Sequence, residues 1–373
     1  MIGRASLDVD LEGGTRLQLE AWFPAQPGRG EPDYAITAAL KTEMVGLLGI
    51  PSFALSTRET SRGSRGLEPV PQALPVILFS HGFASFSRQN TRQLEALAKA
   101  GYLVLAVSHP GESLTTEYQD GRVVTIDHEQ PALEYLRIRD KKALNAQASQ
   151  LNTYLQKLDH AQTDSDYLAA LDNVEQYTLY GASMPSGQRR TAQLVELIEN
   201  LESIDHPLLQ QADLSRLGLY GHSLGGIVSV AAGHQLARQG TPVRAAVNLD
   251  AAQLLLPEPG SLDLAMPTCF LMGGASRMGG TRLEGIGLNS HWAKRQSGVC
   301  EINIETAAHN NFTDLGWVTP LKWLGQLGPV KNRAFSNWLD GFLVSYFDHH
   351  LNGVPFDYPL WENVTLTGEI HAR

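Results

Sequence analysis

Leu217-Gly218-Leu219-Tyr220-Gly221-His222-Ser223-Leu224-Gly225-Gly226 is a short apolar run that closes on Gly-x-Ser-x-Gly. The run reads as a buried strand, and Ile227 to Ala232 continues into a helix of small residues ending near Gly240. Strand, sharp turn and helix in that order hold a serine hydroxyl out for nucleophilic attack. A side chain at Gly221 or Gly225 would strike the neighbouring strand or helix, and the turn forces its central residue into a strained conformation. Ser223 is therefore the candidate nucleophile.

Working outward, Pro75–Ser80 and Tyr102–Ser108 read as buried strands around a helix at Thr91–Ala100, which implies a parallel sheet. Leu17–Phe23 is an earlier strand, and Val243–Leu249, Thr268–Met272 and Val299–Ile304 are later ones. Helices are expected at Gln188–Leu201, Arg282–Arg295 and Lys331–Leu351, and a loop at Ser56–Ala73. The fold class is α/β, a doubly wound, mostly parallel sheet. Leucines at near-helical spacing from Leu133 to Leu158 mark an inserted helical segment, so residues 122–186 are expected to form a cap within a single domain over 1–373.

With 373 residues, 43% of them apolar, the chain can build a large core. A net charge of -10 without a basic block argues against nucleic acid as a partner. No apolar stretch is long enough for a membrane span, and Met1–Leu11 lacks the basic-then-apolar pattern of an export signal. As written the chain reads as cytoplasmic, or as secreted or periplasmic if a native leader was removed. Oligomeric state is not legible. Cys269 and Cys300 fall in separate strand-like runs and are expected to be buried free thiols. No metal or cofactor is expected, and His349-His350 reads as a solvated helix end. Met44–Ile50 is apolar enough to offer transient contact with a lipid surface, although burial against the cap or rim is the commoner fate of such a run. The Asn-x-Thr matches at Asn311 and Asn363 carry no weight.

A serine needs a base to take its proton and an acid to orient that base. His309 lies in the loop after the strand at Val299–Ile304, at the sheet edge where catalytic groups collect. His81 and His222 are competitors better read as structural, and His291, expected mid-helix, is weaker still. The loop Gly273–Arg277, where the acid is usually sought, contains no carboxylate; one strand earlier, Asp250 ends Val243–Leu249 and becomes the acid. Asp314 is its rival, better read as the cap of the helix that starts beside it, and Asp263 lies at the wrong edge. Two backbone N–H groups, each worth roughly 3 kcal/mol in comparable sites, must hold the oxyanion. Leu224 follows the nucleophile, and Phe83 lies in Ser80-His81-Gly82-Phe83-Ala84, a loop with the expected His-Gly start.

Ser80–Phe83, Gly221–Gly226, Leu249-Asp250-Ala251 and His309–Asp314 together resemble the motifs of the plasma-type (group VII) platelet-activating-factor acetylhydrolases and their bacterial α/β-hydrolase relatives, in order over roughly residues 15 to 353. The resemblance implies the α/β-hydrolase fold, the acid at Asp250, the base at His309, and ester hydrolysis of short-acyl or phospholipid substrates without a cofactor. Ala252-Gln253 stands where secreted lipid-hydrolysing relatives carry a bulky aromatic, and the insert is long; both changes touch the substrate pocket. A general carboxylesterase, lipase, or polyester or aromatic-ester hydrolase is the alternative. An inactive binding protein on the same fold would be expected to have lost at least one of Ser223, Asp250 and His309.

Overall fold

The computed structural model describes residues 1–34, 36–49, 52–55, 60–175, 178–255, 261–318 and 327–370. The strands are β1 (Ile2–Asp10), β2 (Arg16–Pro24), β3 (Glu31–Tyr34), β4 (Thr60–Arg65), β5 (Leu74–Ser80), β6 (Leu103–Ser108), β7 (Thr115–Glu117), β8 (Val123–Thr125), β9 (Ala212–His222), β10 (Val243–Leu249), β11 (Thr268–Gly273), β12 (Arg277–Met278), β13 (Thr281–Arg282), β14 (Val299–Ile304) and β15 (Val364–Gly368). The α-helices are α1 (Ala38–Leu48), α2 (Thr91–Ala100), α3 (Pro131–Arg137), α4 (Lys141–Asp159), α5 (Asp164–Glu175), α6 (Thr178–Asn200), α7 (Leu224–Arg238), α8 (Ser290–Arg295), α9 (Leu315–Val318) and α10 (Asn332–Asn352).

Eleven strands form one sheet in the order β15-β14-β11-β10-β9-β5-β6-β2-β1-β4-β3. From β6 across to β14 every neighbour is parallel, whereas β2 and β15 join antiparallel at either side. Alternate residues of the buried strands feed two separate cores. Val76, Leu78, Leu103 and Leu105 pack with α6 and α7, while Ile77, Phe79, Val104 and Ala106 pack with α2 and α10. Each strand is covered on both faces, which is why β5 and β6 are apolar throughout rather than alternating.

Several expectations need correction. The supposed loop at 56–73 contains β4; its residues are polar because it pairs near the sheet's edge, with β1 and β3, and residues 56–59 lie outside those described. Of the helix expected over 282–295, only Ser290–Arg295 forms, since Gly287 takes a φ of 77° and interrupts the run. The helix expected from Gln188 is the second half of α6, which runs unbroken through position 186. Met44 is buried beside Leu40, Leu114 and Leu133, and Leu47 is half-buried against the same cluster; Ile50 lies outside the described residues. No helix among the described residues is long and apolar enough to cross a membrane.

Cys269 and Cys300 are joined in a disulfide, contrary to the expected free thiols. They are register partners on the adjacent parallel strands β11 and β14, with Cα atoms 4.7 Å apart, a relation that their 31-residue separation in sequence conceals. Mass spectrometry after unfolding and alkylation without reductant should find neither cysteine modified. Replacing both with alanine should lower unfolding free energy by roughly 2–4 kcal/mol in denaturant titration.

Candidate active site

Hydrogen-bond register brings the ends of β5, β9 and β10 level, with Gly221 opposite both Ser80 and Asn248. The turn after β9 places Ser223 at φ 56°, ψ −127°, a strained setting for a residue with a side chain. Its glycines are obligatory. A Cβ on Gly221 would lie 2.2 Å from the Gly225 carbonyl oxygen, and one on Gly225 would lie 2.0 Å from the Ser80 carbonyl oxygen. The Ser223 amide donates to the carbonyl of Leu249 at 2.8 Å, which sets the turn directly beside Asp250.

Asp250 also has positive φ, 61°, and its carboxylate is almost fully buried. One oxygen accepts from the Gly273 amide at 2.5 Å, and the other lies 2.6 Å from His309 Nδ1. His309 opens a 3-10 turn, His309–Phe312, beyond β14, and its side chain is about one-third exposed. The structure therefore joins the expected acid to the expected base. The His309 backbone is anchored separately, its amide donating to Ser276 Oγ at 2.9 Å and its carbonyl accepting from His222 Nε2 at 3.0 Å.

The rival groups have other partners. Asp314 accepts from the Arg92 amide at 3.0 Å, so it caps α2 rather than the helix beside it in sequence. His291 lies 2.8 Å from Asp164, and Asp263 pairs with Arg295. His222 is fully enclosed: Gln89 Nε2 donates to its Nδ1 at 2.7 Å, leaving Nε2–H for the His309 carbonyl. Burial, then the neighbouring His309, hold its pKa well below the usual histidine value, so it serves as a neutral strut.

The loop after β5 lies against the turn; a Cβ added to Gly82 would come 3.3 Å from that of Ser223. Phe83 follows immediately, and Leu224 is the first residue of α7. On the other side, α6 covers the turn. A Cβ on Gly187 would approach the Leu224 side chain at 3.1 Å, and the Tyr180 hydroxyl has its pKa pushed up to about 12 by burial and then by the charge of Asp250. Sequence reasoning missed Gln89, which also accepts from the Gly82 amide at 3.1 Å, and Ser276. Ser276 lies in the carboxylate-free loop Gly273–Arg277, where its hydroxyl is the one local signal; Gln89 carries none.

The sheet order, the strained turn and the bonded Asp250–His309 pair together define an α/β hydrolase. Residues 14–338 match the family described as platelet-activating factor acetylhydrolase, isoform II, and the chain belongs to that family. Membership and fold place it among the serine-type ester hydrolases. Among solved structures it is similar to a ferulic acid esterase from Streptomyces cinnamoneus, with 22% identity and a TM-score of 0.65 over 98% of this chain and 96% of that one. No curated protein matches it.

Proposed function

We propose that the protein is a serine carboxylesterase acting through an acyl-enzyme on compact esters, aromatic ones included. The observation that carries this reading is the 2.6 Å bond between Asp250 and His309 beside the strained Ser223 turn. In the proposed cycle, His309 Nε2 takes the Ser223 proton as the hydroxyl attacks the ester carbonyl. The Phe83 and Leu224 amides hold the oxyanion, and His309 returns the proton to the departing alcohol. Water, deprotonated by the same imidazole, then releases the acid. Asp250 keeps the proton of His309 on Nδ1 and stabilises the imidazolium without taking that proton.

The segment 122–186, containing β8, α3, α4, α5 and the start of α6, is proposed as the cap, supported by Tyr180, whose buried hydroxyl feels the charge of Asp250. Hydrolysis of a short-acyl phospholipid is the second reading, favoured by the family match over residues 14–338. A p-nitrophenyl ester series from acetyl to palmitoyl, run beside methyl ferulate and a short-chain phospholipid, separates the two. Turnover of short and aromatic esters with the phospholipid untouched is the expected result. Preferential phospholipid turnover would replace the first reading with the second.

A further inference from the structure

Arg190, on α6, is wholly buried, and its guanidinium bridges the loop after β5 and Glu112. Nη1 donates to the His81 carbonyl at 3.0 Å and lies 3.4 Å from the Gly82 carbonyl; Nη2 donates to the Glu112 carbonyl at 3.2 Å. Nε donates to the Glu112 carboxylate at 2.8 Å. Ser186 and Arg189 hold the same carboxylate, at 2.5 and 2.6 Å. A buried charge of this kind is costly to maintain and must be fully paired, which this one is.

The consequence lies in which peptide units are pinned. The peptide between His81 and Gly82 is held at both ends, its oxygen by Arg190 and its N–H by Gln89. The next peptide, between Gly82 and Phe83, has its oxygen held by His81 Nδ1 at 2.7 Å and more loosely by Arg190. His81 is itself locked, since its Nε2 lies 2.7 Å from Ser113 Oγ. Burial, followed by the Arg190 charge, keeps that imidazole neutral, so Nδ1–H remains a donor and Nε2 an acceptor. A trans peptide points its C=O and N–H in opposite directions. Fixing the Gly82 oxygen therefore fixes the direction of the Phe83 N–H.

We infer that Arg190, seated on Glu112, is a positioning residue that aims the Phe83 amide at the oxyanion through the carbonyls of His81 and Gly82. The inference rests on the proposed role of Phe83 as an oxyanion donor. Gly187, three residues earlier on the same face of α6, abuts the Leu224 side chain, so one helix packs beside both donor residues.

Two variants test this. Arg190→Lys keeps the charge beside Glu112 but loses the planar fork that reaches carboxylate and carbonyls together. Arg190→Met/Glu112→Gln removes both charges, leaving no unpaired ion in the interior. Each is assayed on p-nitrophenyl butyrate, with kcat expressed per site labelled to completion by a fluorophosphonate, and each is titrated with an aryl trifluoromethyl ketone, whose serine adduct carries the oxyanion. Both variants should lose about 10- to 100-fold in kcat, part of the loss expected for deleting one oxyanion donor. KM should stay nearly constant, and the ketone's inhibition constant should rise in parallel with the loss in kcat/KM. Wild-type kcat per labelled site and wild-type ketone affinity in a folded variant would overturn the inference, whatever happened to thermal stability. A Ser223→Ala protein that still turned over the ester would instead overturn the Ser223 acyl-enzyme reading beneath it.

Discussion

Ser223→Ala is expected to remove ester turnover, lowering kcat by on the order of 10⁵-fold or more, the scale seen when a triad nucleophile is deleted. The fold should survive the change. Position 223 sits at positive φ in either case, alanine fits wherever serine fits, and the glycines at 221 and 225 still allow β9 and α7 to approach. Loss of activity with unchanged thermal unfolding, and loss of fluorophosphonate labelling, would assign the effect to the hydroxyl. The same strain supplies a companion result: Ser223→Gly should be equally inactive yet more stable, by roughly 1 kcal/mol or more, because glycine occupies that backbone region without penalty. Turnover within tenfold of wild type in the alanine variant would sink the acyl-enzyme mechanism, and an unstable glycine variant would show that the turn is not where the strain resides.

The strained turn at Ser223 was legible because its determinants are local: two glycines flanking Ser223, an apolar strand before it and a helix after it. The pairing of Asp250 with His309 was legible at one remove. Each follows a recognisable strand, and a parallel sheet sends all such ends to one edge. What stayed hidden depends on pairing between distant segments. The disulfide follows from the register of β11 on β14, and β4 and β15 exist because they add to strands far away in sequence. Gln89 reaches His222 across 133 positions, and Arg190 reaches His81 across 109, so neither side chain carries a local sign of its role. Asp314 shows the same limit in reverse: proximity to α9 suggested one helix, while the folded chain gives it the N-terminus of α2.

Asp250→Asn is the second large effect expected, a loss of about 10⁴-fold in kcat with the fold intact, as when a triad acid becomes an amide. Its physical basis is the tautomer of His309. The buried carboxylate accepts twice, from the Gly273 amide and from His309 Nδ1, and it has no proton to donate. An asparagine oxygen can satisfy only one of these donors well. If the oxygen keeps Gly273, the amide nitrogen faces Nδ1 and favours the tautomer with the proton on Nε2. That nitrogen is then unable to receive the Ser223 proton. The backbone favours the exchange, because asparagine tolerates the φ of 61° at this position as well as aspartate does. Asp314→Asn is the matched control: its oxygen can still accept from the Arg92 amide, so activity should stay within about twofold and stability should change by less than about 1 kcal/mol. The pair of variants distinguishes the two candidate acids by kcat alone. Comparable losses in both, or a loss confined to Asp314→Asn, would transfer the acid's role away from Asp250 even though the bond to His309 is in place. At raised pH the Asp250→Asn enzyme should recover part of its rate. Hydroxide can then deprotonate Ser223 without the misoriented imidazole, so the ratio of wild-type to variant kcat should shrink steadily as pH increases.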